Sequence, residues 1–291
     1  MTSNQVLSFP QEQVAAGPFR DPKPWVFTIT GHRGAMALAP ENSALSFDLA
    51  ARTADEVELD VRVTADGVPI VLHDPTLERL AAGPHPLADK PARELPLAEL
   101  QAVPLASGQP VLTLAEALDA IGVPVQAEIK DPAAVPAVAT LVNSHPGPLP
   151  CIRFSSFLPE ALTQLQRSLP HVPRGLILAE FPATPTGQEG VTATLAATGA
   201  TTLYCGFRNL TALQVDRLHR AGIDVHVWPL ACFDDVCLAL DLAADWGTAD
   251  DPGRARGWLD SVGGGMWRIP AQLSGMGLAP EKSRVPQDCS G

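Results

Sequence analysis

Glu58 and Asp60 stand two residues apart in the run Glu56-Val57-Glu58-Leu59-Asp60-Val61-Arg62. Strict alternation reads as a β-strand, with Val57, Leu59 and Val61 on one face and Glu58, Asp60 and Arg62 on the other. Two carboxylates on an enclosed face repel each other and lose hydration, a cost that a divalent cation removes. The bland alternative, a solvated strand face, suits an edge strand and not one inside a closed barrel. A second run, Gln126-Ala127-Glu128-Ile129-Lys130, repeats the alternation. Glu128 would supply a third oxygen ligand, and Lys130, one pleat further on, a cation suited to a phosphate oxygen. Taken alone, that pair reads rather as an internal ion pair.

Two histidines converge on these carboxylates. His32 lies in Gly31-His32-Arg33-Gly34, where glycines on both sides allow a sharp turn and close approach of a substrate. Ala65-Asp66-Gly67-Val68 reads as a two-residue type I′ hairpin with Asp66 and Gly67 at its tip. That register sets Asp60 opposite His73, roughly 5 Å apart at Cβ, and folds His73-Asp74 back over the acidic pair. An all-carboxylate set favours a hard cation (Mg²⁺, Ca²⁺ or Mn²⁺) over zinc. A hard cation, two histidines, an arginine and a lysine fit phosphoryl chemistry. One histidine deprotonates the nucleophile, and the other protonates the leaving alkoxide.

Short β-branched runs alternate with helical stretches along most of the chain. Strands are expected at Trp25–Thr30, Glu56–Arg62, Pro124–Lys130, Cys151–Ser155, Gly175–Ala179, Thr201–Cys205, Asp224–Trp228 and Asp245–Thr248. Helices are expected at Ser43–Arg52, Leu114–Ile121, Ala134–Asn143, Pro159–Leu169, Glu189–Ala197, Thr211–Ala221, Phe233–Ala243 and Arg254–Ser261. Thr113 with Glu116 forms a capping box for the second, and Asn209 is placed to cap the sixth. This alternation implies an α/β fold, a (β/α)8 TIM barrel with a small insertion after the second strand's hairpin. An open doubly wound sheet fits less well, because no G-x-G-x-x-G loop follows the first strand. The barrel is assigned to residues 25–261, with the insertion at about 75–112. Residues 1–24 and 262–291 read as extensions, poorly ordered by composition.

Bulk properties narrow the partners. A net charge of −12 excludes a nucleic-acid partner. The five cysteines (Cys151, Cys205, Cys232, Cys237, Cys289) include no C-x-x-C pair, so neither a disulfide framework nor a zinc knuckle is expected. No basic-then-apolar leader is visible, and no run nears the roughly 18 apolar residues of a membrane span. Cytoplasmic localisation without stable membrane insertion is therefore expected; the oligomeric state is left open. His85, His145, His171 and His219 fall in loops or helices away from strand ends. His226 shares the inward parity of Trp228 and is a minor candidate for substrate contact.

Gly31-His32-Arg33-Gly34, Pro40-Glu41-Asn42-Ser43, the run Glu58 to Gly67 and His73-Asp74 resemble the glycerophosphodiester phosphodiesterase family in order and spacing. Glu128-Ile129-Lys130, Ser155-Ser156-Phe157, Val225 to Trp228 and Ala249-Asp250-Asp251-Pro252 are similar to its later motifs. The resemblance implies His32 and His73 as the general acid–base pair, and Glu58, Asp60 and Glu128 as ligands of one divalent cation. It implies Arg33 and Lys130 as phosphate contacts, Trp228 in the substrate pocket, and Glu41, Asn42 and Asp74 as supporting groups. Glu41 and Asn42 also read as simple helix capping, and Trp228 as core. The implied reaction converts a small glycerophosphodiester to glycerol 3-phosphate and an alcohol, by attack of the glycerol 2-hydroxyl and opening of the cyclic phosphate by water. The pattern departs at Pro229-Leu230, Leu158 and Asp245 to Thr248, which leaves the leaving group open. Phospholipase-D-like cleavage of lysophospholipids is the nearest alternative. A catalytically silent barrel requires a lost ligand or histidine, and all five are present; a two-carboxylate glycosidase would need no metal.

Overall fold

The computed structural model describes residues 26–144 and 151–263. Its strands are β1 (Thr28–Gly31), β2 (Glu56–Val63), β3 (Pro69–Val71), β4 (Val125–Ile129), β5 (Ile152–Ser156), β6 (Arg174–Leu178), β7 (Thr202–Gly206), β8 (Asp224–Trp228) and β9 (Trp246–Ala249). All except β3 run parallel, and β1 pairs with both β2 and β9, so eight strands close into a barrel. The helices are α1 (Ala44–Ala51), α2 (Leu97–Gln101), α3 (Leu114–Ala120), α4 (Val135–Ser144), α5 (Pro159–Ser168), α6 (Pro185–Thr198), α7 (Ala212–Arg220), α8 (Phe233–Asp241) and α9 (Pro252–Ser261). All but α2 follow a barrel strand, α3 only after the hairpin and insertion, and each of these except the last, α9, leads the chain to the next strand. This is the expected (β/α)8 barrel. Of the expected terminal extensions, residues 1–24 and 264–291 lie outside the described residues, as do Trp25, His145 and Cys289; Val262 caps α9.

Strand parity decides which side chains meet. Val57, Leu59 and Val61 of β2 join Val125, Ala127 and Ile129 of β4 in the hydrophobic layer between the barrel and its helices. Their polar neighbours turn inward. Below the mouth, Thr30 Oγ donates to Glu56 at 3.0 Å and Arg153 Nε pairs with Glu56 at 2.8 Å. The Arg153 guanidinium lies 4.6 Å from the Trp246 ring. This plug of paired charges and aromatic rings fills the barrel axis, so ligands can enter only from the other end.

Two local expectations are corrected. The hairpin is a three-residue loop: β2 and β3 pair Val61 with Val71, Arg62 with Ile70 and Val63 with Pro69. Only Gly67 takes positive φ (79°), as a type I turn with a closing bulge requires, whereas a type I′ tip needs Asp66 there as well. Asp60 therefore stands opposite Leu72, whose N–H donates to its carbonyl at 3.0 Å. His73 still reaches the acidic pair, because regular pairing ends at Val71 and the chain bends. The cap of α7 is Thr211, boxed with Gln214, not Asn209. Asn209 takes φ 62° in the preceding loop and donates its amide to the Phe181 carbonyl at 3.1 Å. The Thr113–Glu116 box at α3 forms as anticipated.

Residues 75–111 pack a hydrophobic cluster of their own. Leu77, Ala92, Leu95, Leu100 and Val103 gather on Ile70 and Leu72 of the hairpin. Within it the one α-helix is α2, over the short helical piece anticipated.

Candidate active site

The C-terminal ends of the strands bring the predicted residues to one place. Register puts Asp60 beside Glu128 and Glu58 beside Gln126 on neighbouring β2 and β4. One carboxylate oxygen from each of Glu58, Asp60 and Glu128 lies within 4.8 Å of the others, and all three residues are buried. Lys130 Nζ sits 2.5 Å from Glu128 and 3.1 Å from Asp60. Arg33 is engaged with Glu41 at 2.9 Å and lies 3.4 Å from Asp60. The three carboxylates thus share Lys130 and part of Arg33, whose charge is divided with Glu41, so the cluster is not fully neutralised.

The protonation states register that imbalance. Burial first, and the Asp60 charge second, push Glu58 well above the usual carboxylate range. Burial alone would raise Asp60 too, but Lys130, Arg33, His73 and the Asn42 amide hold it below its ordinary value. Glu58 Oε1 has no hydrogen-bond partner. An orphaned buried oxygen within an incompletely neutralised carboxylate cluster fits a divalent cation with oxygen ligands.

The loop after β1 supplies the next shell. Arg33 takes φ 48° and donates its N–H to Glu58 at 2.8 Å. Gly34 follows at φ 83°, and a Cβ there would lie 2.5 Å from Ser46 Oγ, so only glycine lets the loop press on α1. Asn42, also left-handed at φ 54°, donates its amide to Asp60 at 2.8 Å. Glu41 and Asn42 thus hold site side chains; the cap of α1 is Ser43.

Each histidine is tethered through Nδ1. His32 meets Asp250 at 2.6 Å and His73 meets Asp74 at 2.7 Å, which leaves each Nε2 as the nitrogen available for proton exchange. Burial works to lower the pKa of His32, but the Asp250 hydrogen bond and the Glu58 charge outweigh it and raise it. For His73 burial wins, and the pKa is lowered.

His32, Arg33, Glu58, His73, Glu128, Lys130 and Trp228 line one cavity of about 180 Å³ at the barrel mouth. Its far wall is Phe157 set edge-on to Trp228, with ring centroids 6.1 Å apart. A larger cavity, about 590 Å³ between α6 and α7, lies outside the barrel and contains no histidine or carboxylate pair. His226 points inward, as its parity requires, yet lies beneath the cavity and is no pocket residue. It is fully buried, bonded through Nε2 to Thr248 at 2.6 Å, and burial lowers its pKa well below the ordinary value.

A family model described as the glycerophosphoryl diester phosphodiesterase family matches residues 32–254. This chain belongs to that family. As a glycerophosphoryl diester phosphodiesterase family member it is a phosphoric diester hydrolase. A Mycobacterium tuberculosis protein named "Probable glycerophosphodiester phosphodiesterase 1" is 26% identical over 283 residues, covering 87% of this chain and 97% of that protein. A Bacillus subtilis relative is 46% identical over 56 residues, which are 19% of this chain and 23% of the relative. Among solved structures, an Oleispira antarctica phosphodiesterase in complex with the product sn-glycerol-3-phosphate superposes with TM-score 0.71 at 25% identity, covering 81% of this chain and 97% of that one. A Thermotoga maritima glycerophosphodiester phosphodiesterase, at 23% identity and TM-score 0.64 over 78% of this chain and 96% of that one, shares the fold.

Two site contacts had gone unassigned. Asp250 follows β9 directly, and a signal existed: the ring order sets β9 beside β1, so the residue after one strand meets the residue after the other. Arg79 comes from the insertion, bonding Asp74 at 2.6 Å and both oxygens of Glu41 at 2.6 and 2.8 Å. The insertion has no strand or helix period at Arg79, so no pattern pointed to it.

Proposed function

We propose that this enzyme hydrolyses small glycerophosphodiesters to glycerol 3-phosphate and an alcohol, with His73 as general base and His32 as general acid. The observation that carries the reading is the pair of carboxylate-tethered histidines opening on one cavity lined by Glu58 and Glu128 of the three-carboxylate cluster. Opposite pulls on the two imidazoles support the division of labour: His73 is biased to the neutral form that accepts a proton, His32 to the charged form that donates one. Glu58, Asp60 and Glu128 would hold the divalent cation, which supplies charge neutralisation at a phosphate oxygen and acidifies a bound hydroxyl. Arg33 and Lys130 orient the phosphate, and Trp228 with Phe157 walls the side where the alcohol departs. The described cysteines are unpaired, and no helix among the described residues is long and apolar enough to cross a membrane. The unpaired cysteines agree with a reducing compartment.

A second reading, cleavage of lysophospholipids, is favoured by the exposed Phe157 and Leu158 at the mouth. One assay separates them. Release of glycerol 3-phosphate from glycerophosphocholine and glycerophosphoethanolamine is measured beside lysolipid cleavage, with Mg²⁺, Ca²⁺, Mn²⁺ or EDTA. The expected result is cation-dependent release from the soluble diesters, reduced at least about 100-fold in His32→Ala. Turnover of lysolipids alone, or release undiminished by EDTA, rejects the first reading.

A further inference from the structure

Arg79 follows Leu77, which is fully buried in the insertion's own cluster, by two residues. Its guanidinium makes three short contacts: Nη1 and Nη2 to the two oxygens of Glu41 at 2.6 and 2.8 Å, and Nε to Asp74 at 2.6 Å. Each acceptor bonds onward. Glu41 accepts from Arg33 at 2.9 Å, and Asp74 meets His73 Nδ1 at 2.7 Å. One planar fork therefore governs two chains of contact, ending on the histidine and on the arginine of the cavity.

We propose that Arg79 is a positioning residue for the phosphodiesterase reaction, fixing His73 through Asp74 and Arg33 through Glu41. The inference rests on the two-histidine reading given above. Asp74 is 26% exposed and His73 33%, so without Arg79 the carboxylate would turn toward water and carry the imidazole with it. A point charge cannot replace the fork, because two acceptors on different segments must be met in one plane. The stability cost of losing Arg79 is modest, because its side chain is 48% exposed and Glu41, only 8% exposed, keeps Arg33 as a partner. Orientation is a different matter: displacing a reacting group by about 1 Å costs on the order of 100-fold in rate.

The test uses the full chain with Arg79→Met and Arg79→Lys, followed by kcat, KM, thermal unfolding and the ¹⁵N shifts of the His73 ring. Wild type is expected to show one tautomer, protonated on Nδ1 toward Asp74. In Arg79→Met the tautomers mix, kcat falls about 10–100-fold, and KM changes less than about threefold. The unfolding midpoint moves by no more than about 4 °C. Arg79→Lys keeps the charge but not the fork, and is expected to lose at least about tenfold in kcat. Full kcat in either folded variant, or an unchanged His73 tautomer in Arg79→Met, overturns the proposal. Should wild type turn over no glycerophosphodiester, the function reading fails, while the tautomer still decides for or against Arg79.

Discussion

Glu58 concentrates the site's electrostatic problem in one side chain: one oxygen accepts from the Arg33 N–H at 2.8 Å and the other has no partner. Without a cation, burial and then Asp60 push its pKa up to about 8, against roughly 4.3 in an unfolded chain. The metal-free native state thus binds this proton more tightly than the unfolded one. The associated stability is complete below about pH 4.3 and lost as pH rises through about 8. In EDTA, the urea midpoint of wild type is expected to fall between about pH 5 and pH 8.5. Glu58→Gln should flatten that slope and raise the midpoint at the alkaline end. Superimposable curves for the two proteins would refute the account. The three carboxylates were legible from sequence because strand parity alone forces them onto one enclosed face. Arg79 was not, since its reach to Glu41 and Asp74 depends on how the insertion packs, and no local periodicity encodes that.

Strands and helices emerged from their hydrophobic periods with ends displaced by a residue or a few; the hairpin between β2 and β3 shows where such reading stops. Asp-Gly marks the turn, but whether one or two residues adopt positive φ sets the register, and a one-residue difference changes every cross-strand partner. The Thr64 hydroxyl tips the balance: it accepts from the Val68 N–H at 2.9 Å and donates to Asp66 at 2.6 Å, bracing the longer loop. The insertion leans on this hairpin through Ile70 and Leu72, with Leu77 at the heart of the shared cluster. Leu77→Ala is expected to cost about 2–5 kcal/mol in urea unfolding. A loss below about 1 kcal/mol would show that the cluster is not packed as a core.

Barrel closure is the property of the whole molecule that strand counting foretold and that no single segment displays. Its chemical product is the His32–Asp250 pair, 218 residues apart in sequence and 2.6 Å apart in space. Asp250→Asn keeps the hydrogen bond and removes the charge that helps raise the His32 pKa. The limb of the pH–rate profile assigned to His32 should move to lower pH, with kcat reduced about tenfold. An unmoved limb would detach Asp250 from the acid role. The pairing also imposes an order in time. A ribosome delivers His32, Glu58, Asp60 and His73 within 42 residues of chain, and Asp250 only 177 residues after His73. A chain that stops short of β9 therefore carries His32 and all three clustered carboxylates without the group that braces His32. The His32–Asp250 contact exists only once β9 has closed the barrel against β1, so it marks a finished barrel.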